Sequence, residues 1–285
     1  MLLMGIINVT PDSFSDGGEW ADAERAIAHG RELIAQGAHI LDIGGESTRP
    51  GAKPLTADQE WQRVEPVIAA LADGGAALSI DTYHAVTARR AVAAGVTIIN
   101  DVTGGMGDPS MFHTVAELGV DYILQHTRGT PATMNSLAHY ERHVASEVRE
   151  ELLLRRDAAV AAGIDPARIV LDPGLGFAKV GSHDWEALGG LEAIMREGHR
   201  VLVGPSRKRF LADVVENWPD RMASRLERDV ATATIAVWLG ELSAAGKAGV
   251  WGARVHNVAA ARVALATFTR LKQEQARYQQ LVQNL

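Results

Sequence analysis

The stretch AALSIDTYHAVTARRAVAAGVTIIND, residues 76–101, decides the fold. It opens on an apolar run, 76–80, that ends in Asp81. An Ala- and Arg-rich stretch follows, Gly95 closes it, and a second apolar run, 96–99, ends in Asn100-Asp101. A glycine tolerates the left-handed conformation that stops a helix. The flanking runs are dense in Ile, Val and Leu without strict alternation, as parallel strands covered on both faces require. The segment therefore reads as strand, helix, strand. Outward from it the same unit recurs, with further runs at 3–7, 39–43, 120–124, 168–171, 200–203 and 250–255. The stretches between them carry a 3.6-residue period. In 22–36, for example, Ala26, Ile27, Leu33 and Ile34 fall in pairs between charged positions, and Gly37, Gly119 and Gly163 close three such stretches. Eight units of roughly 36 residues predict an α/β fold, a (β/α)8 TIM barrel filling residues 1–285 as a single domain. A doubly wound open sheet would place a Gly-x-Gly-x-x-Gly turn after its first strand. Residues 9–18 form a long polar loop instead, and no linker or low-complexity tract divides the chain.

Composition narrows the function. Twenty-eight basic against 35 acidic residues give a net charge of −7, which argues against a broad nucleic-acid face. Hydrophobic content of 47% and charged content of 22% are those of a folded globular chain. With no cysteine there is no disulfide, thiolate metal site or thiol nucleophile. No apolar run is long enough to span a bilayer. The opening residues lack a charged segment and run into polar Asn8, so they read as a strand rather than a signal peptide. The expectation is a cytoplasmic enzyme or binding protein with no nucleic-acid and no membrane partner.

Polar residues end the strands in register. Asn8 ends the first, and Asp42 with Gly44 to Arg49 the second. Asp81, Asn100-Asp101, Gln125-His126, Asp172 and Ser206-Arg207-Lys208 end the next five, and Arg254 and His256 the last. One Asp after a strand is most often a cap or a turn former. Eight such ends meet on a single rim, where barrel active sites are built. Asp81, Asn100, Asp172 and Lys208 combine acceptors with a donor, which suits a planar heterocycle whose edge atoms each need a partner. Arg49, Arg254 and His256 form a cationic group suited to phosphate or carboxylate. Asn8 and nearby acidic residues offer oxygens to Mg2+ whose shell phosphate would complete. His139 and His143 stand four apart, as on one helix face, but no third ligand makes them a zinc site. Trp61, Trp185 and Trp238 fall in helical stretches and read as packing. On a strand-end turn the side chains of Arg207, Lys208 and Arg209 diverge, so only one or two point inward.

Taken together, these stretches carry a resemblance. Met4-Gly5-Ile6-Ile7-Asn8-Val9-Thr10-Pro11-Asp12-Ser13-Phe14-Ser15-Asp16-Gly17-Gly18 resembles the opening signature of the dihydropteroate synthase family of pterin-binding enzymes. Leu41-Asp42-Ile43-Gly44-Gly45-Glu46-Ser47-Thr48-Arg49-Pro50-Gly51 is similar to its second. Matches follow in family order around Asp81, Asn100, Asp172 to Phe177, Gly204 to Lys208, and Arg254 to Asn257. The resemblance implies a transferase of folate biosynthesis that joins 4-aminobenzoate to a dihydropterin diphosphate. It implies pterin contacts at Asp81, Asn100, Asp172, Phe177, Gly204 and Lys208. Thr48, Arg49, Arg254 and His256 would hold diphosphate, and Asn8 magnesium. Phe14, Pro50 and Ser206 would line the 4-aminobenzoate pocket, where sulfonamides compete. Asp81, Asp172, Lys208 and Arg49 would carry catalysis, through C–O cleavage ahead of amine attack. Loops after the first two strands would order over the diphosphate, and a homodimer is expected.

The chain also departs from the family. It reads Gln125-His126-Thr127 where methionines flank the histidine, and Ala178 where a glycine follows the Gly-Phe pair. It opens on its first strand, where many members carry a short leader. A pterin-dependent methyltransferase shares the barrel but usually lacks the 47–51 loop. An inactive pterin-binding paralogue would lose residues of the first two loops, which are whole here.

Overall fold

The computed structural model describes residues 1–10, 18–47, 54–130, 133–214, 224–244 and 249–283. Three helix-to-strand passages show how the chain turns. Gly37, Gly95 and Gly163 have φ of 95°, 104° and 102°. The amides of Ala38, Val96 and Ile164 then donate back to the carbonyls of Leu33, Ala91 and Ala159. This bond, five residues back past a left-handed glycine, is the Schellman stop. The apolar residue after each glycine thus belongs to the helix end.

In chain order the elements are β1 (Leu2–Asn8), α1 (Gly18–Gln36), β2 (Ile40–Gly44), α2 (Ala57–Leu71), β3 (Ala77–Asp81) and α3 (Ala85–Ala93). Next come β4 (Ile98–Asp101), α4 (Met111–Leu118), β5 (Asp121–Gln125), α5 (Val144–Ala161), β6 (Ile169–Asp172), α6 (His183–Gly189) and α7 (Leu191–Met195). The chain ends with β7 (Arg200–Val203), α8 (Arg225–Ala244), β8 (Val250–Val255) and α9 (Val258–Gln283). Local chemistry sets some of these starts. At α2, the Gln59 amide donates to Thr56 Oγ1 at 3.2 Å and the Thr56 amide to Gln59 Oε1 at 3.0 Å, a reciprocal capping box.

The eight strands pair in sequence order, all parallel, and β8 pairs with β1 to close the barrel. Closure leaves no sheet edge. Two cores result. Met4, Ile40, Ile98, Ile123, Val170 and Leu202 fill the barrel interior. A larger shell, including Leu33, Ile43, Val64, Ile80, Leu124 and Val201, packs the strands' outer faces against the helices. At the strand starts, Arg200 donates to both carboxylate oxygens of Asp121, at 2.7 and 2.9 Å, and ties β7 to β5.

The last helix runs to Gln283, because the Gln, Lys, Glu, Ala and Arg of its tail are good helix formers. One sequence expectation is corrected. His139 lies in the loop before α5 and His143 caps that helix, so the pair shares no helix face.

Candidate active site

Side chains along a strand alternate between faces, so the interior core fixes which strand-end residues can meet. Two residues beyond Ile40, Ile98, Ile123, Val170 and Leu202 stand Asp42, Asn100, Gln125, Asp172 and Gly204. Asp81 pairs in register with Asn100, and Arg254 with Met4, so both share that inner face. Asn8 is two steps past the Met4–Ile6 pair and half-buried at the rim. The opposite parity sends Asp101 and His126 outward. Asp101 accepts from the amides of Thr103 and Gly105 and from the Tyr122 hydroxyl, which makes it a turn former.

The inner residues form one buried cluster. Arg254 donates from Nε to Asp42 Oδ2 at 2.6 Å and from Nη2 to Asp81 Oδ2 at 2.7 Å. Asn100 Nδ2 donates to the same Asp42 oxygen at 2.9 Å. Among the described residues, Asp42 Oδ1, Asn100 Oδ1 and Ser79 Oγ are buried with no hydrogen-bond partner. Native proteins rarely leave such atoms orphaned, and several at a barrel mouth mark where a polar ligand sits. Burial pushes the Asp81 carboxyl up to about 7; Arg254 holds it down against the added repulsion of Asp42.

Across the mouth stand Asp172 and Lys208. Asp172 Oδ1 accepts from the Gly174 amide at 2.7 Å, and burial raises its pKa against the pull of Lys208. Burial in turn lowers Lys208 to about 8, with Asp172 and Asp184 opposing. The Lys208 ammonium donates to Leu175 O and sits 4.9 Å from the centre of the Phe177 ring. Gly204 joins the two halves. A Cβ there would point to Arg254 Cβ at 3.7 Å and Lys208 Nζ at 3.9 Å, so its absence keeps a slot open between the cations.

Ser206 and His256 meet beside this slot. The Ser206 oxygen accepts the His256 amide at 3.0 Å and lies 2.9 Å from its Nδ1. Burial and the neighbouring Arg207 and Arg254 push the His256 ring down to about 3. His256, expected as a cation, is therefore neutral. Arg254, expected with the cationic group, donates instead to the buried carboxylates of Asp42 and Asp81. Arg207 turns away to a bidentate pair with Asp229, and Arg209 is exposed, so of the three basic neighbours Lys208 alone enters the site. Phe14, Thr48, Arg49 and Pro50 lie outside the described residues.

The sequence reading places Asp42 at the rim but omits it from the site; its two-residue step from Ile40 is the signal that would have found it. It also misses Glu60, whose Oε2 accepts the Thr82 hydroxyl at 2.6 Å beneath the start of the loop after β2. No strand pattern marks that residue, which comes from α2. Of the family departures, Gln125 faces inward and donates to Val102 O at 3.3 Å. Ala178 has φ 49°, a left-handed conformation in which its Cβ costs energy that a glycine would not.

The comparisons agree with this geometry. The family described as pterin binding enzyme matches residues 4–256. The dihydropteroate synthase of Mycobacterium leprae (strain TN) is 44% identical over 263 residues, covering 92% of this chain and 90% of that protein. Xanthomonas albilineans dihydropteroate synthase with 4-aminobenzoic acid superposes with a TM-score of 0.83 at 38% identity, covering 95% of this chain and 93% of that one. The Yersinia pestis enzyme in complex with a sulfonamide drug gives 0.83 at 32% identity, covering 95% and 94%. A family match over nearly the whole barrel and relatives this similar along both lengths mean that the chain belongs to the pterin-binding enzymes, as one of their dihydropteroate synthases.

Proposed function

We infer that this rim performs the dihydropteroate synthase reaction. It transfers the (7,8-dihydropterin-6-yl)methyl group from its diphosphate to the amine of 4-aminobenzoate, releasing diphosphate and 7,8-dihydropteroate for folate synthesis. The observation that carries the site assignment is the cluster of orphaned buried atoms on Asp42 and Asn100, set beside Asp81 and opposite Asp172 and Lys208. Alternating acceptors and a donor match the edge of a pterin, whose amino, ring N–H and carbonyl groups each need a partner. Asp81, Asn100, Asp172 and Lys208 hold that edge, Phe177 and Gly204 shape the slot, and Asp42 fixes Asn100 and Arg254. His256, as a neutral donor, faces the diphosphate with Thr48 and Arg49, and Arg254, held by Asp42 and Asp81, borders it from the carboxylate side. Ser206 borders the 4-aminobenzoate pocket with Phe14 and Pro50. The four residues outside the described set are assigned by the resemblance.

The arylamine is a neutral nucleophile, so the chemistry asks for positioning and charge stabilisation more than for a general base. The methylene C–O bond breaks first, and diphosphate leaves with the bonding pair. Asp81 and Asp172 stabilise the electron-poor pterin-methyl group until the amine nitrogen attacks the methylene carbon and loses its proton. Asn8 would hold magnesium, which would supply counter-charge for the diphosphate. Among the described residues no three His, Asp or Glu side chains form a metal cage. Asn8 offers a single neutral oxygen, which fits an ion whose other ligands come with the diphosphate.

Diphosphate release is the deciding assay. It should require the pterin diphosphate, 4-aminobenzoate and Mg2+ together, and a sulfonamide should inhibit it in competition with 4-aminobenzoate. Absence of release with all three present would reject the reading. Among the described residues no helix is long and apolar enough to cross a membrane, and we place the chain in the cytoplasm. Between α8 and α9 lies an apolar groove of about 680 Å³ lined by Val230, Ala233, Val237, Val263 and Ala264. We assign this face to a homodimer. Sedimentation should show twice the chain mass, and Val263→Glu should shift it to the monomer.

A further inference from the structure

Lys179 is 5% exposed, and no step above uses it. Its ammonium donates to Gly174 O at 3.0 Å and Phe177 O at 3.1 Å and lies 3.1 Å from His126 Nδ1. That is one partner for each of its three N–H bonds. With Nδ1 accepting, the His126 proton sits on Nε2, which donates to Glu151 Oε2 of α5 at 3.1 Å. Arg128 Nε donates to Glu151 Oε1 at 3.0 Å, and its guanidinium lies 4.0 Å over the Tyr140 ring. The Tyr140 hydroxyl donates to Ala178 O at 3.0 Å, so the chain of contacts returns to the loop where it began.

That loop, residues 173–178, is held from two sides. Its outward carbonyls, Gly174, Phe177 and Ala178, belong to Lys179 and Tyr140. Its inward carbonyl, Leu175 O, and the Phe177 ring belong to Lys208. Gly174 and Gly176, with φ of 65° and 75°, let the loop turn tightly, and Ala178, with φ of 49°, holds a left-handed conformation that its Cβ makes costly. A Cβ at Gly174 would strike His126 O. A left-handed alanine persists where surrounding bonds over-determine it.

We propose that Lys179 is a positioning residue of the pterin slot: by clamping the outward carbonyls of the 173–178 loop, it sets Leu175 O and the Phe177 ring where they hold the Lys208 ammonium. This rests on the assignment of the slot to the pterin. Lys179 touches no substrate and acts through Lys208 and Phe177. Burial lowers its own pKa to about 7, which is the desolvation cost of an ammonium that a purely apolar brace would avoid.

The test uses the full chain and two variants, with 6-hydroxymethylpterin as the equilibrium probe and steady-state kinetics on both substrates. Lys179→Met keeps an apolar stem and removes the three donors. The pterin Kd and the KM for the pterin diphosphate should each rise about tenfold, with the KM for 4-aminobenzoate changed less than about twofold. Tyr140→Phe removes one hydroxyl from a half-buried ring and should raise the pterin Kd about threefold. It decides the matter if Lys179→Met does not fold. Variants that bind pterin as the wild type does overturn the proposal and leave the slot assignment standing. Equal rises in both KM values overturn it too, since a merely structural brace would act so. If the wild type itself fails to bind pterin, the slot assignment falls and takes the proposal with it.

Discussion

Asp172→Asn should lower kcat/KM for the pterin diphosphate by about 10²–10³-fold, roughly 3–4 kcal/mol, while leaving thermal stability near that of the wild type. The substitution separates the residue's two jobs. Asp172 Oδ1 accepts the Gly174 amide, and an Asn oxygen can keep that bond and the turn it fixes. The other position changes from an acceptor to a donor, so a pterin N–H would meet an opposing N–H in a buried site. The charge opposite Lys208 is lost as well. Asp172 raises the proton affinity of Lys208, which burial has already lowered to about 8, so removing it drives the lysine further down. The variant's activity should therefore begin to fall at lower pH than the wild type's alkaline limb. Because burial already disfavours the Asp172 carboxylate, the fold loses little when the charge goes. A wild-type kcat/KM would remove Asp172 from the pterin contacts.

Arg254→Met should instead destabilise the barrel by about 3–5 kcal/mol at pH 8, the usual cost of stranding one side of a buried ion pair. Asp42 and Asp81 both lose their guanidinium partner, at 2.6 and 2.7 Å. The loss depends on pH in a definite direction. In the wild type Asp81 titrates at about 7, raised by burial and by Asp42 and held down by Arg254. Without Arg254 it rises further above its unfolded value. A carboxyl raised in the folded state contributes its stability below its unfolded pKa, and that contribution disappears as pH climbs through the folded value. Urea unfolding should then show the variant closest to the wild type near pH 5 and furthest from it at pH 8. A difference that is flat between those values would mean that Asp81 keeps its charge through other partners.

Much of the fold is legible in the residues. The eight runs and the glycine stops identify the barrel, and each run overlaps an observed strand. The boundaries slip for physical reasons. Val96 reads as the start of a strand, but its amide completes the Schellman stop at Ala91, so β4 begins at Ile98. The runs also end early, because an apolar pattern stops at the first polar residue. The backbone ladder carries on through Asn8, Asp81, Gln125 and Asp172.

The site is legible in composition and less so in partnership. Asp81, Asn100, Asp172 and Lys208 can be sorted by the atoms they offer, and the structure brings them to one mouth. Arg254 looks the same in sequence whether it awaits a phosphate or binds two carboxylates, since its partners lie 212 and 173 residues away. Charge state behaves likewise. Burial beside two arginines makes His256 neutral, and nothing adjacent to it in the chain says so.

The sequence by itself determined the eight strand–helix units, their glycine stops and the kind of polar atom at each strand end. These depend on periodicity and backbone preference, which are local. Only the tertiary structure decided which of those atoms face one another, which carry charge and which loop holds Lys208. Closure of the barrel brings distant residues within hydrogen-bond reach and removes the water that would otherwise screen them.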